Sequence, residues 1–343
     1  MKTVLVTGAG GYIGSVLTPK LLEQGYRVKA VDRFFFGKDK LTTHPHLELI
    51  QEDSRKLSKT HFSGVDFVID LVAVSNDPSG ELFERATWQI NHESRANTAK
   101  FAKEMNVKRY ILPSSCSIYG FQDNIVDETS ETNPLTVYAK ANEKAEHDVL
   151  RLADDQFTVT ILRQATVFGA SPRMRFDLAI NGMVYGAWKN KTLPLMRDGK
   201  QYRPMVHVQD TTDVMILLLT EDQNKINHQI FNVGGNENNY QLGPLGQLVA
   251  DEVSKQLNTP VNIEWYGDVD HRSYKVSFDK IERVLQWKPQ WDAKRGAKEI
   301  VEKLSHGELE KSTQTITLDW YKELEKWRKI IEQVELYGGI LDI

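Results

Sequence analysis

The chain has 343 residues, 43 of them basic and 47 acidic, with a formal net charge of -4. Hydrophobic residues make up 40% and charged residues 26%, ordinary globular usage that excludes a disordered chain, a collagen-like repeat and a disulfide-stapled miniprotein. Cys116 is the single cysteine, so no intrachain disulfide forms and a reducing, cytoplasmic setting is expected. In chain order, TVLVTG (3–8) predicts a strand directly at the start, with no signal peptide ahead of it. Residues 14–25 predict a helix with Val16, Leu17, Leu21 and Leu22 on one side, and RVKAVD (27–32) a second strand. HLELIQED (46–53) and VDFVIDLVAV (65–74) predict two more strands, 86–104 a helix, and VKRYILPSS (107–115) a strand. A helix over 139–152 and one strand over FTVTILRQATVFG (157–169) follow. Short apolar strands alternating with helices imply an α/β fold, a parallel sheet wound on both faces. Strands buried on both sides need no polar alternation, which accounts for their continuous apolar runs.

Past Gly169 the pattern changes. Residues 170–203, with Pro172, Arg173, Arg175, Pro194 and Arg203, predict a loop and a helix. Strands are expected over 205–210 and 230–235, with a helix over 211–220 between them. Further strands are expected near 261–266 and 276–278, and a charged helix with Trp320, Trp327 and Ile330 over 313–337. The expected division is 1–169 with 204–238 as a Rossmann-type nucleotide-binding domain, and 170–203 with 239–343 as a smaller C-terminal substrate-binding lid domain. The longest aliphatic cluster, VMILLL at 214–219, is far too short to span a bilayer. The near balance of charge asks for neither a nucleic acid nor a membrane partner. No HExxH or CxxC spacing occurs, so no metal site is expected.

The sharpest local signal is TGAGGYIG (7–14), which places Gly8, Gly11 and Gly14, with Tyr12 and Ile13 between them, after a strand and before a helix. Glycine allows the tight turn and lets backbone approach a pyrophosphate at the helix N-terminus. Asp32 ends the second strand 18 residues after Gly14, where a carboxylate accepts both ribose hydroxyls of a dinucleotide. Strand, turn, helix, strand and acid in that order predict NAD binding. Asp32 would repel the 2′-phosphate of NADP, while the adjacent Arg33 pulls the other way.

Two further segments carry chemistry: SSCSIYG (114–120) at a strand end, and PLTVYAKANEKAE (134–146), where Tyr138 opens a helix. With the glycine spacing, LVAVSND (71–77), Asn91, LRQATVFGASPRMR (162–175), RPMVHVQD (203–210) and HRSYKVS (271–277), the chain resembles the extended short-chain dehydrogenase/reductase family, and within it the NAD-dependent nucleotide-sugar epimerases, dehydratases and dehydrogenases. The resemblance implies roles. Ser115 holds the sugar's reacting oxygen, and Tyr138 takes the proton of the C4 hydroxyl as hydride leaves. Asp53 and Ser54 meet the adenine, and Leu71, Val72, Ala73 and Asn91 the cofactor. Arg203 and Arg272 neutralise the sugar nucleotide's pyrophosphate, with Ser75, Asn76, Thr166, Arg173 and Arg175 also on the substrate side. A planar, permanently charged fork suits that task.

The chain departs from the family pattern twice. Tyr-x-x-x-Lys is expected, but position 142 is Asn142, one helical turn from Tyr138 and on its face. Asn142 can hydrogen-bond a ribose hydroxyl but carries no charge. The oxidised nicotinamide is then the cation expected to favour a tyrosinate. The second departure is at the Asp-Glu pair of the 4,6-dehydratases, where Cys116 and Ser117 stand instead, so dehydration is disfavoured. The expected activity is epimerisation through a 4-keto sugar. The alternatives are a C4 dehydrogenase or reductase without epimerisation, and, of another class, a non-catalytic NAD sensor. The resemblance also implies a homodimer through the helix over 86–104 and the one opening at Tyr138; Ala96, Ala99, Phe101, Ala102, Ala145, Val149 and Leu150 there suit close helix packing, though the same residues would also serve against the sheet.

Overall fold

Seven parallel strands build the central sheet of the computed structural model, which describes residues 1–268 and 273–335. They are β1 (Thr3–Thr7), β2 (Arg27–Asp32), β3 (Leu47–Gln51), β4 (Phe67–Asp70), β5 (Arg109–Ser115), β6 (Thr158–Gln164) and β7 (Gln229–Val233). Their order is β7-β6-β5-β4-β1-β2-β3. Every residue of β1 and β6 is buried, as strands covered on both faces require. The chain leaves β1 for β2 on one side and reaches β4 on the other. That reversal opens a crevice at the carboxyl ends of β1 and β4, where such sheets take ligands.

Helices cover both faces. On one face Val4, Val6, Leu17 and Leu21 pack with Met215 and Ile216, from α1 (Gly14–Glu23) and a helix over Val208–Leu217. Between β4 and β5 lies α2 (Asp77–Leu82), followed by a helical run over 84–104. That run, expected as one α-helix, passes through a π-helical stretch, Trp88–Ser94, before α3 (Arg95–Glu104). Ala99 and Ala102 of α3, with Ala145 and Val149 of α4 (Val137–Leu150), pack on Leu5, Val68 and Val159. Four of the small residues expected at a dimer interface are therefore used inside the molecule.

The expected strand over 157–169 breaks at Ala165. β6 stays in the large sheet, while Thr166–Phe168 pairs with Tyr202–His207 in a second, three-stranded sheet. An unbroken apolar run conceals such a change of partner. Thr192–Met196 pairs with Asn262–Tyr266, a strand not expected within 170–203. A second core forms around α5 (Ala179–Asn190), α6 (Leu242–Leu257) and α7 (Ala293–Ser305), through residues such as Ile180, Leu193, Val249 and Ile300. Tyr12 and Val16 of the glycine turn and α1 belong to it, so the two halves share packing. Tyr274, Phe278 and Ile281, expected in the lid, pack instead with the core of the large sheet. The last helix among the described residues, α8 (Thr317–Val334), returns to the loop after β2, where the Trp320 indole donates to the Phe35 carbonyl at 2.7 Å.

Candidate active site

The crevice widens into a cavity of about 770 Å³. One end is made of backbone. Gly8 has φ +66°, and a Cβ there would lie 2.8 Å from the Val72 nitrogen. A Cβ on Gly14 would fall 2.4 Å from the Gly8 carbonyl oxygen. No side chain fits at either position, so the turn presses directly on the start of α1 and on the loop after β4. Gly11, Tyr12 and Ile13 line the same end. Asp32 completes it, accepting from the Gly10 N–H at 3.0 Å and the Phe34 N–H at 2.6 Å. Burial raises its pKa, and those two donors oppose the rise.

Arg33 and Asp53 line the rim, paired at 3.3 Å, and Arg55 grips Asp53 more tightly, at 2.6 Å. The Arg55 contact is the main cause that lowers the Asp53 pKa. The Ser54 hydroxyl meets that of Ser94 at 3.1 Å. Leu71, Val72 and Ala73 line the cavity floor. Asn91 does not line the cavity. Both ends of its amide hold Val74, accepting from its N–H at 2.8 Å and donating to its carbonyl at 3.0 Å. Asn91 shapes the cofactor loop from behind rather than presenting a contact to the cavity.

At the other end stand Ser115 and Tyr138. Ser115 ends β5, and its hydroxyl accepts from the Ser117 N–H at 3.1 Å. Tyr138 is the second residue of α4, whose start is capped by the Thr136 hydroxyl on the Ala139 N–H. Burial raises the Tyr138 pKa and Asp77 adds to the rise. The charges of Arg95 and Arg175 and a hydrogen bond with Ser115 oppose it. Ser114 and Ser117 also line this end, and their buried hydroxyl oxygens have no partner within the protein. Cys116 is fully buried, its thiol donates to the Arg163 carbonyl, and burial pushes its pKa up, as inert packing requires.

Asn142, expected to reach a ribose, does not line the cavity. Its amide oxygen accepts from Arg95 Nη1 at 2.7 Å, and its amide nitrogen donates to the Tyr138 carbonyl at 3.0 Å. The Arg95 charge also corrects the expectation that the nicotinamide is the sole cation near Tyr138. Arg95 belongs to no motif. The signal available in the sequence was a charged residue inside an otherwise buried helical face, four residues after Asn91.

Ser75, Asn76, Thr166, Arg173, Arg175 and Arg203 all line the cavity. Arg175 is gripped by Asp177 at 2.7 Å and donates to the Ser75 hydroxyl at 3.2 Å, while Asn76 donates to the same Asp177 at 3.1 Å. Arg173 is 4% exposed and lies 3.6 Å over the Phe36 ring. One guanidinium nitrogen reaches the Thr317 hydroxyl at 3.0 Å, and the other two have no partner. Burial, with Arg175 nearby, lowers its pKa to about 9. Its backbone N–H reaches the Ser15 hydroxyl at 3.4 Å, while its guanidinium lies between Phe36, in the loop after β2, and Thr317 of α8. Arg203 donates to the Tyr202 carbonyl and faces the Tyr274 ring. Arg272 lies outside the described residues. Tyr321 and Arg328 of α8 close the cavity, a role that the charged pattern of that helix did not indicate.

These residues fit NAD: a glycine cradle with no room for a Cβ, an acid beside it, and buried donors facing the same space. Among solved structures, the chain is similar to MoeE5 in complex with UDP-glucuronic acid and NAD, at 22% identity and a TM-score of 0.79, covering 89% of this chain and 99% of that one. It is equally similar to the UDP-glucuronic acid 4-epimerase of Bacillus cereus, at 22% identity, a TM-score of 0.79 and the same coverage. The UDP-N-acetylglucosamine 4-epimerase of Methanobrevibacter ruminantium M1 matches at 21% identity and a TM-score of 0.80, over 89% of this chain and 99% of that one. At these identities the likeness shows a shared fold. The sequence model of the NAD dependent epimerase/dehydratase family matches residues 4–234. A glycine turn, an acid after β2 and a Ser-Tyr pair, set around one cavity in a chain that this model matches over more than half its length, make the protein a member of the NAD dependent epimerase/dehydratase family, with NAD as its cofactor.

Proposed function

We propose that the protein is a nucleotide-sugar epimerase that works through a 4-keto sugar. The observation that carries this reading is that one cavity joins the glycine turn and Asp32 to the Ser115 and Tyr138 hydroxyls. When bound, NAD supplies the acceptor and the donor of the C4 hydride. Tyr138 takes the C4 hydroxyl proton, because loss of hydride alone would leave a charged oxocarbenium. Ser115 holds the same oxygen, and Tyr138 returns the proton when the keto sugar has presented its other face. The absence of an acid pair at Cys116 and Ser117 argues against expulsion of water. Arg203, with Ser75, Asn76, Thr166 and Arg175 near it, is assigned to the sugar nucleotide. Arg173, expected on the substrate side, is assigned instead to the cofactor side, because its guanidinium lies over Phe36 in the loop after β2 and its charge opposes the rise in the Asp32 pKa.

A turnover assay across UDP-, GDP-, CDP- and dTDP-sugars tests the proposal. A new sugar nucleotide without net NADH supports it. Stoichiometric NADH would make the protein a dehydrogenase, and neither product would leave an NAD sensor. A homodimer in the cytoplasm belongs to the same proposal. Outward residues of α3 and α4 would have to build its interface, and a monomer by light scattering at micromolar concentration removes it.

A further inference from the structure

We propose that Arg95 is the positioning residue of the base, supplying to Tyr138 the fixed positive charge that position 142 lacks. The proposal rests on the reading of Tyr138 as the base. Its ground is geometric. Arg95 is 3% exposed and opens α3 directly after the π-helical stretch. Its Nε donates to the Val72 carbonyl at 2.9 Å, and its Nη1 donates to Asn142 Oδ1 at 2.7 Å. Asn142, 1% exposed, passes the link on by donating to the Tyr138 carbonyl at 3.0 Å. One guanidinium thus ties the cofactor loop after β4 to the first turn of α4. Asn91, one helical turn earlier, pins Val74 of the same loop. A lysine at 142 would set a second cation against Arg95. An asparagine there supplies an acceptor to Arg95 and a donor to the helix, which explains why an uncharged residue fits.

The charges around the Tyr138 phenol agree with this. Arg95 is the strongest influence lowering its pKa, Arg175 lowers it further, and Asp77 raises it. Several other charged groups on the packed elements are paired. Arg175 is itself neutralised by Asp177, Arg163 pairs with Glu146 at 2.8 Å, and His92 pairs with Asp148 at 2.7 Å. Glu81 accepts from the Val137 N–H, one residue before Tyr138. The Arg95 guanidinium donates to a neutral carbonyl and an amide oxygen, while the buried acid of β4, Asp70, accepts from the Tyr110 hydroxyl, which also donates to the Arg95 carbonyl.

The test is a charge-transfer cycle through Arg95→Gln, Asn142→Lys and the double variant. Two quantities are read: the pH profile of turnover, and the ultraviolet titration of Tyr138 without substrate, taken as the difference from Tyr138→Phe. Arg95→Gln should move both the alkaline limb and the titration upward by about 1–2 pH units, with kcat near neutrality down roughly 10- to 100-fold and KM little changed. Arg95→Lys should recover most of the loss. Asn142→Lys alone, placed against Arg95, should fold less well than wild type. The double variant should restore both the fold and the limb, a strong departure from additivity. If Arg95→Gln does not fold, the double variant carries the test, since its lysine replaces the buried charge. A double variant no better than the singles overturns the proposal. So does an Arg95→Gln protein whose kcat falls equally at every pH while the titration stays in place, since that marks a brace and nothing more. If Tyr138→Phe keeps wild-type turnover, the base assignment falls instead, and the titration still reports on Arg95.

Discussion

At the glycine-turn end of the cavity, the glycine turn and Asp32 lie within a single β-α-β unit, residues 3–32, and the turn is built largely of backbone. At the tyrosine end, the working groups come from the loop after β4, from α3, from the end of β5 and from the start of α4, and consist of side chains. The first end tolerates little change because atoms of the main chain touch. The second tolerates exchange of one residue for another, provided that charge and hydrogen bonds still close. The lesson is that a family's lysine can be absent without the site being empty of cations.

Mutations at each end should separate these two modes. The largest effect is expected for Tyr138→Phe, which removes the acid–base group while leaving the ring packing. Turnover should fall about 10²- to 10⁴-fold, with NAD affinity nearly unchanged. A steady-state assay with a cofactor titration checks both, and wild-type turnover would remove Tyr138 from the mechanism. Next is Arg203→Ala. Deleting a charge-assisted donor from a buried phosphate should cost about 2–3 kcal/mol, roughly 30- to 150-fold in sugar-nucleotide affinity, with little change for NAD. Equal losses for both ligands, measured by calorimetry, would place Arg203 elsewhere.

At the glycine-turn end, Gly14→Ala puts a methyl group 2.4 Å from the Gly8 carbonyl oxygen. Overpacking of this kind should cost about 1–3 kcal/mol, seen as a lower midpoint of chemical denaturation, and should weaken NAD in step. An alanine protein with wild-type stability would mean that the turn relaxes, contrary to its tight contacts. The smallest effect is expected for Asp32→Ala. Loss of the carboxylate should narrow the preference for NAD over NADP by about ten-fold, the size of one screened charge contact. Equal affinity for the two cofactors in the unmutated protein would show that Asp32 does not select.

The sequence by itself determined the alternation of strands and helices, the turn at Gly8, Gly11 and Gly14, the acid at Asp32 and the Ser115–Tyr138 pair. All but the last are carried by spacing along a few tens of residues, which backbone geometry converts directly into position, while the Ser115–Tyr138 pair was legible through the family resemblance. Only the tertiary structure decided the split at Ala165, where an apolar run changes sheets without a change in composition. It alone moved Asn91 and Asn142 out of the cavity wall, because a buried amide takes whichever partners surround it. It also set the Arg173 guanidinium against Thr317 and that of Arg95 against Asn142, pairs separated by 144 and 47 positions. Charge acts over distance in space, not along the chain. A missing lysine was therefore visible in the sequence, while the arginine next to it became visible only when two helices were packed together.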